Sequence, residues 1–454
     1  MFFYKILPPY LILILTSIVG QVFFVAYYFF NLNSTSLFCL LMIATFLSYR
    51  PRYLFSPISV LYAYYALWYL LPLLFAERYR DLPYASRIVS LSAWMLYTTL
   101  TAGAISLALT ETYLLNKKIF GTALRNLNSI VHKRGIQRAR KIMLLSFMTC
   151  IFSLIGLVSV TGGIQPWIDE PGQTFLRREG GGLFSVLLIF GSMFYALAAG
   201  YLVKLKPSIW MTFSAIVFLF LISPFLGGKM QNFFSIFFFL APSIFSSKAR
   251  GAILFWMILL FVAIFFLGIY FRNLSWISVD DLIGYSLNYF NTFEMLIISV
   301  ADFEPSWFST VFLPFNKFLS PFGIREDVFY DMSAWLTSIY FPEDWAIRAT
   351  QQWPIETDFY MSFYFIGGIP LLIAFMIFLQ VNFSKAISTR SLAFLFIGCH
   401  MSFNLMSHLR GGLIIWNDFY TYPMYIVAYF LFRNIFVPNN AVIVTNKLSA
   451  NHLG

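Results

Sequence analysis

The chain keeps returning to unbroken apolar runs, each long enough to cross about 30 Å of hydrocarbon as a helix. Lipid offers no water to satisfy the backbone, so such a chain can only form helices or a closed barrel. Short segments of alternating polarity are absent, which excludes the barrel. Only 11% of the residues are charged, where soluble domains carry about 25%. The predicted fold class is an all-α polytopic membrane protein. Twelve spans are expected, near 6–30, 36–50, 54–75, 88–109, 142–160, 183–203, 208–226, 232–247, 252–270, 359–383, 391–407 and 412–432, the second and eighth being short. The first exceeds the roughly 7–15 apolar residues of a signal sequence and precedes no small-residue cleavage site, so it reads as a retained helix. Cys39, Cys150 and Cys399 all fall inside apolar runs and suggest neither a disulfide framework nor a metal site.

Charge sets the expected orientation, because short cytoplasmic loops gather Lys and Arg. One set of alternate loops, with the two termini, carries 19 of the 30 bases and a single acid, Glu111. The opposite side carries the other 11 bases and 18 acids. Both termini, including a tail at 434–454, are therefore expected inside. The run Val131–Lys141 (VHKRGIQRARK) precedes a span directly and reads as an anchor against anionic lipid, so no nucleic-acid partner is expected.

Helices 1–9 occupy residues 1–270 in this reading, and 359–433 hold helices 10–12. Between them, 271–358 form one large extracytoplasmic loop with 12 of the 19 acids and five tryptophans. Carboxylates beside flat aromatic faces suit sugars, whose hydroxyls need acceptors and whose C–H faces need apolar partners. A long loop of this kind is more often functional than not, the plainer alternative being a protective cap. An amphipathic helix is expected over 279–300, irregular chain over the Pro- and Phe-rich 303–323, and a second helix at Pro342 with Glu343 and Asp344 in its first turn.

Three outer connections each bring a cation to the membrane boundary: Arg177 and Arg178 before a Gly run, Lys229 in LGGKMQN, and Arg410 with His408 in SHLRGG. Arg can pair bidentately with phosphate, while Lys acts as a point charge. Snorkelling to lipid headgroups is the plainer account of each. Glu356 and Asp358 lie just before the tenth span, where a carboxylate could take a proton from an acceptor hydroxyl as general base. The insert has no histidine or cysteine, so no metal is expected. His400, inside an apolar run, reads as an interhelical hydrogen-bonding residue.

Four stretches resemble the bacterial oligosaccharide repeat-unit polymerases, the O-antigen polymerase (Wzy-type) family: RREGGG, the GGK turn, ETDFYMSFYFIGG from Glu356 to Gly368, and HLRGG before an aromatic helix. The resemblance implies a GT-C-like helical fold in the bacterial inner membrane. It also implies a metal-independent glycosyltransferase without cofactor, moving a growing glycan from undecaprenyl diphosphate to a new lipid-linked unit at the periplasmic face. The product would be the O-antigen of lipopolysaccharide, or capsule. By matching position Arg177 or Arg178, Lys229 and Arg410 would hold the diphosphate and Glu356 would be the acidic partner, with Asp358 beside it and His408 in support. A protein that regulates chain length would be a further partner, alongside the bilayer. Two alternatives share the lipid-linked substrate. An O-antigen ligase has the same layout, but the ligases compared carry a histidine in the large loop. A transporter or flippase usually carries charged residues in mid-span, which are nearly absent here.

Overall fold

The structure is a computed structural model, and it describes residues 8–30, 34–53, 55–75, 83–117, 129–176, 178, 180–226, 229–244, 290–324, 329–346 and 350–437. The described residues are helical, with two isolated β-bridges and no strand among them. Among the described residues eight helices are long and apolar enough to cross a membrane: Pro9–Phe29, Pro57–Phe75, Ser86–Leu114, Lys133–Val160, Gly182–Leu205, Ile209–Leu226, Gly368–Thr389 and Leu392–Leu409. Thr35–Ser48 and Gln231–Ile244 are shorter apolar helices, at the places where short spans are expected. The expected twelfth span is a 15-residue helix, Asp418–Phe432. The expected ninth, 252–270, lies outside the described residues, as do 279–289 of the amphipathic helix.

The chain divides into two units. The first comprises Met1–Ile119, Ser278–Val381 and Met401–Phe419. Here the Pro57–Tyr65 helix is started by Ser56, whose side chain accepts from the Ser59 N–H, and it passes through a π-helical turn, Ala66–Leu70, into Leu71–Phe75. The described part of the insert packs an apolar centre against the chain that follows it, with Met295, Met332, Leu336, Trp353 and Met361 buried together. Asp331 starts the Met332–Tyr340 helix by accepting from the Ala334 N–H at 2.9 Å. As the sequence predicts, Pro342–Ala346 is a helical turn with Glu343 and Asp344 at its positive end.

The tenth span is where the expected boundary moves. A separate short helix, Ile355–Phe363, carries Glu356 and Asp358, and the membrane-length helix begins only at Gly368. Tyr364 and Phe365 between them have φ of 48° and 61°. Left-handed backbone at two successive aromatic residues breaks the helix. Apolarity runs through the break unchanged, which is why the sequence reads as one span from 359.

The second unit comprises Phe120–Ile277, Asn382–His400 and Tyr420–Gly454. Gly200 of Gly182–Leu205 lets the neighbouring backbone come very close, since a Cβ there would fall 1.9 Å from the Phe239 carbonyl oxygen. His400 is buried among Phe190, Phe234, Phe238 and Phe396, and its Nδ1 lies 2.9 Å from the Tyr425 hydroxyl. It is a hydrogen-bonding residue between helices, as its isolation in an apolar run suggests.

Candidate functional site

Burying a carboxylate is costly unless partners replace the water it loses. On one short helix the first unit buries a pair of them, two residues apart, and treats them differently. Asp358, 2% exposed, is fully engaged. Its Oδ1 accepts from the Thr310 hydroxyl at 2.5 Å, and its Oδ2 accepts from the Leu413 N–H at 2.9 Å. Ser362 extends the same network, its hydroxyl 2.7 Å from that of Thr310. Burial raises the Asp358 carboxyl above the usual range against these hydrogen bonds. Its environment is that of a clamp holding three segments together.

Glu356 is 1% exposed, yet only one of its oxygens is hydrogen-bonded. Oε1 accepts from the Tyr65 hydroxyl at 2.9 Å, while Oε2 has no partner. Burial pushes its carboxyl up to about 7, with its own backbone N–H and the Tyr65 and Thr99 hydroxyls pulling the other way. A carboxyl in that range can take up or release a proton near neutrality, which suits general acid–base work.

The HLRGG segment is tied to this site at both ends. The Tyr64 hydroxyl, next to Tyr65 in sequence, donates to the Leu409 carbonyl at 2.9 Å. Asp358 receives the N–H of Leu413. Arg410 is thus bracketed between a tyrosine beside the Glu356 partner and the carboxylate two residues after Glu356. Gly412 fits here because its φ is 117° and a Cβ would lie 3.0 Å from Asp358 Oδ2. His408 is buried, with Nδ1 3.2 Å from the Leu413 carbonyl oxygen and Nε2 3.4 Å from Asp418 Oδ1. Asp418 in turn accepts from the Ile415 N–H at 3.1 Å. His408 and Asp418 therefore shape the turn that presents Arg410.

The other two cationic connections belong to the second unit. Arg178 places its guanidinium 3.6 Å from the centre of the Phe175 ring and donates to the Ser185 hydroxyl at 3.0 Å. Its loop borders a cleft of about 510 Å³ lined by Thr161, Asp169, Glu170, Gln173 and Thr174. Arg177 and the side chain of Lys229 lie outside the described residues. Among the described residues no group of three or more His, Cys, Asp or Glu could hold a metal ion.

Sequence reasoning missed Tyr64, Tyr65 and Thr310. One signal existed: YAYYALWYL puts four tyrosines within eight residues of an apolar run, and buried tyrosine hydroxyls need partners. Thr310 had none, its role depending wholly on a partner 48 residues away. No family model, curated protein or solved structure matches the chain.

Proposed function

We propose that the chain is a polymerase that joins lipid-linked oligosaccharide repeat units. It moves the growing glycan from undecaprenyl diphosphate to a new unit at the periplasmic face, on a twelve-span, GT-C-like framework. The observation that carries the reading is Glu356, a buried carboxyl with one unpartnered oxygen, beside a turn that presents Arg410. The diphosphate is already a good leaving group, so the reaction chiefly needs a base for the acceptor hydroxyl and a cation for the departing charge. In this reading Glu356 Oε2 accepts the hydroxyl proton as the new glycosidic bond forms, and the glycan's bond to diphosphate breaks. Arg410 pairs with the diphosphate, assisted by Arg177 or Arg178 and Lys229. Tyr65 orients Glu356, and Asp358 holds the Arg410 turn. Both Glu356 oxygens are enclosed, so an acceptor reaches the carboxyl only after the surrounding side chains part.

The glycolipids of a deletion strain test the reaction class. Loss of a polymerase leaves surface lipid bearing a single repeat unit. A ligase lesion instead strands long polymer on its carrier, and a flippase lesion traps single units inside. Arg410→Ala should reproduce the single-unit profile at matched membrane protein level, a loss of about 2–5 kcal/mol for an unpaired charge. Arg410→Lys should restore part of the polymer, because an ammonium cannot reproduce the guanidinium fork. Full-length polymer from Arg410→Ala would remove the diphosphate role.

A further inference from the structure

Between Glu304 and Arg325 the only charged residue is Lys317, while the stretch carries Trp307 and five phenylalanines. A loop folded into water would bury most of those rings. Instead Trp307 is 58% exposed, Phe308 52% and Phe322 68%, with Phe312 and Ile324 also exposed. Contiguous exposed apolar surface of this kind marks a contact with something else.

Backbone conformation sharpens the point. Phe308 has φ of 61° and Tyr364 φ of 48°, and both rings are exposed. Left-handed backbone at bulky residues costs conformational energy, and here it is spent on turning rings outward rather than into a core. Backbone hydrogen bonds to the neighbouring segment hold these residues in place, and their rings are left on the outside.

Position identifies the occupant. Phe308 N–H donates to the Ser362 carbonyl at 3.0 Å, Ser306 N–H to the Tyr360 carbonyl at 3.3 Å, and Tyr364 N–H to the Ser306 carbonyl at 3.3 Å. These bonds fasten the aromatic stretch to the segment that leads straight into the Gly368–Thr389 membrane-length helix. The Trp307 ring lies against Gly367, where a Cβ would meet it at 3.4 Å. Ile366, at the head of that helix, is itself exposed, as is Phe378 along it. The aromatic patch therefore continues an apolar surface that a bilayer must already cover. Clustered Phe and Trp with one lysine and no acid is also the composition that suits the boundary of hydrocarbon and headgroups.

We propose that residues 307–324 are a lip seated in the bilayer at the head of the Gly368–Thr389 helix, with their rings among the acyl chains and Lys317 reaching the headgroups. The large loop then enters the membrane partway along its length. Thr310, inside the lip, bonds Asp358 directly, so lipid contact and the carboxylate clamp share one segment. The inference holds whatever reaction the carboxylates perform.

The test uses the full chain in phosphatidylethanolamine–phosphatidylglycerol proteoliposomes. Nitroxides are placed at Phe312→Cys and Phe322→Cys; the native cysteines are buried. Exposed Ile216 of the Ile209–Leu226 helix serves as a lipid-facing reference, and exposed Ala301 as a reference outside the membrane-length helices. Both lip positions should collide more with oxygen than with a water-soluble nickel chelate, as at Ile216→Cys. A pattern like that of Ala301→Cys, favouring the nickel chelate, would overturn the proposal. Low access to both reagents would also overturn it, since a protein partner or second copy would then cover the patch. A carbene-generating acyl-chain probe on the unsubstituted protein gives an independent reading: peptides spanning 307–324 should be labelled, and unlabelled ones would count against the lip.

Discussion

Two buried glutamates in the first unit are held in nearly the same way and differ in what surrounds them. Glu356 and Glu111 are both almost wholly enclosed. Each accepts one hydrogen bond from a tyrosine hydroxyl, Tyr65 or Tyr49, and leaves its other oxygen unpartnered. Glu111 also feels the Arg52 guanidinium, in the region where the sequence gathers its bases. The Glu356 carboxyl is instead helped by hydroxyls and its own backbone N–H. A tyrosine and an orphan oxygen therefore do not by themselves make a reactive acid. What separates the two in the proposed reading is placement, since Glu356 lies beside the turn that presents Arg410 and Glu111 does not.

The comparison breaks most sharply under amide substitution. Glu356→Gln should lower polymer synthesis by about 10²–10⁴-fold, the usual contribution of a general base, while Glu111→Gln should leave chain length unchanged at equal expression. Equal losses from both, read on glycolipid gels, would show that enclosure rather than chemistry is what the two share.

A pH series sharpens the contrast. Synthesis by the protein in proteoliposomes should rise about tenfold per pH unit below 7 and level off above it, as Glu356 loses its proton. Stability should move the other way. The folded carboxyl sits near 7, above its ordinary 4.5, so the protonated form is favoured by folding. That contribution is complete below about pH 4.5 and is lost as pH rises through 7, a change on the order of 3 kcal/mol. The midpoint of thermal unfolding should fall accordingly, and in Glu356→Gln that fall should vanish. A midpoint with equal pH dependence in both proteins would assign it to other groups.

The clamp beside Glu356 should respond to a smaller change. Gly412→Ala places a Cβ against Asp358 at a φ that alanine resists, costing about 1–3 kcal/mol. Thermal unfolding in detergent would measure it, with shortened polymer as the expected companion. A fully stable variant would show that the turn relaxes freely and that Asp358 does not fix it.

These contrasts were only partly legible in the chain. Apolar runs locate the membrane helices because span length is set by bilayer thickness, and Glu356 and Asp358 stand out as acids at an apolar boundary. The break at Tyr364 and Phe365 was hidden, because left-handed backbone usually announces itself through glycine and here falls on two aromatics. The tie from Tyr65 to Glu356 spans 291 positions, and no local pattern encodes a partner so remote. Gly412 was visible as part of a glycine pair, but its reason is a carboxylate from another segment. Lys229 and Arg178 belong to a different unit from Arg410.

The smallest expected effect concerns the two tyrosines. Tyr65→Phe removes a hydrogen bond that favours the charged Glu356, so the midpoint of the pH–activity curve should move upward by about one unit. Tyr49→Phe should leave that midpoint in place. A shift from both would mean that the two carboxyls titrate together.

The π-helical turn at Ala66–Leu70 carries a consequence for descent. Such a turn holds one residue more than the α-helix it interrupts, and it commonly begins as a single inserted codon. Removing one residue from that stretch would restore regular helix with the flanking turns facing much as before, and would shift only the side chains that the turn itself presents. Tyr64 and Tyr65 lie before the turn, while Trp68, which donates to Gln352 at 2.7 Å, lies within it. A one-codon deletion would thus leave the span crossing the membrane and yet separate these contacts. In distant kin, a gap of one position here would mark lineages that never acquired this arrangement or have since abandoned it.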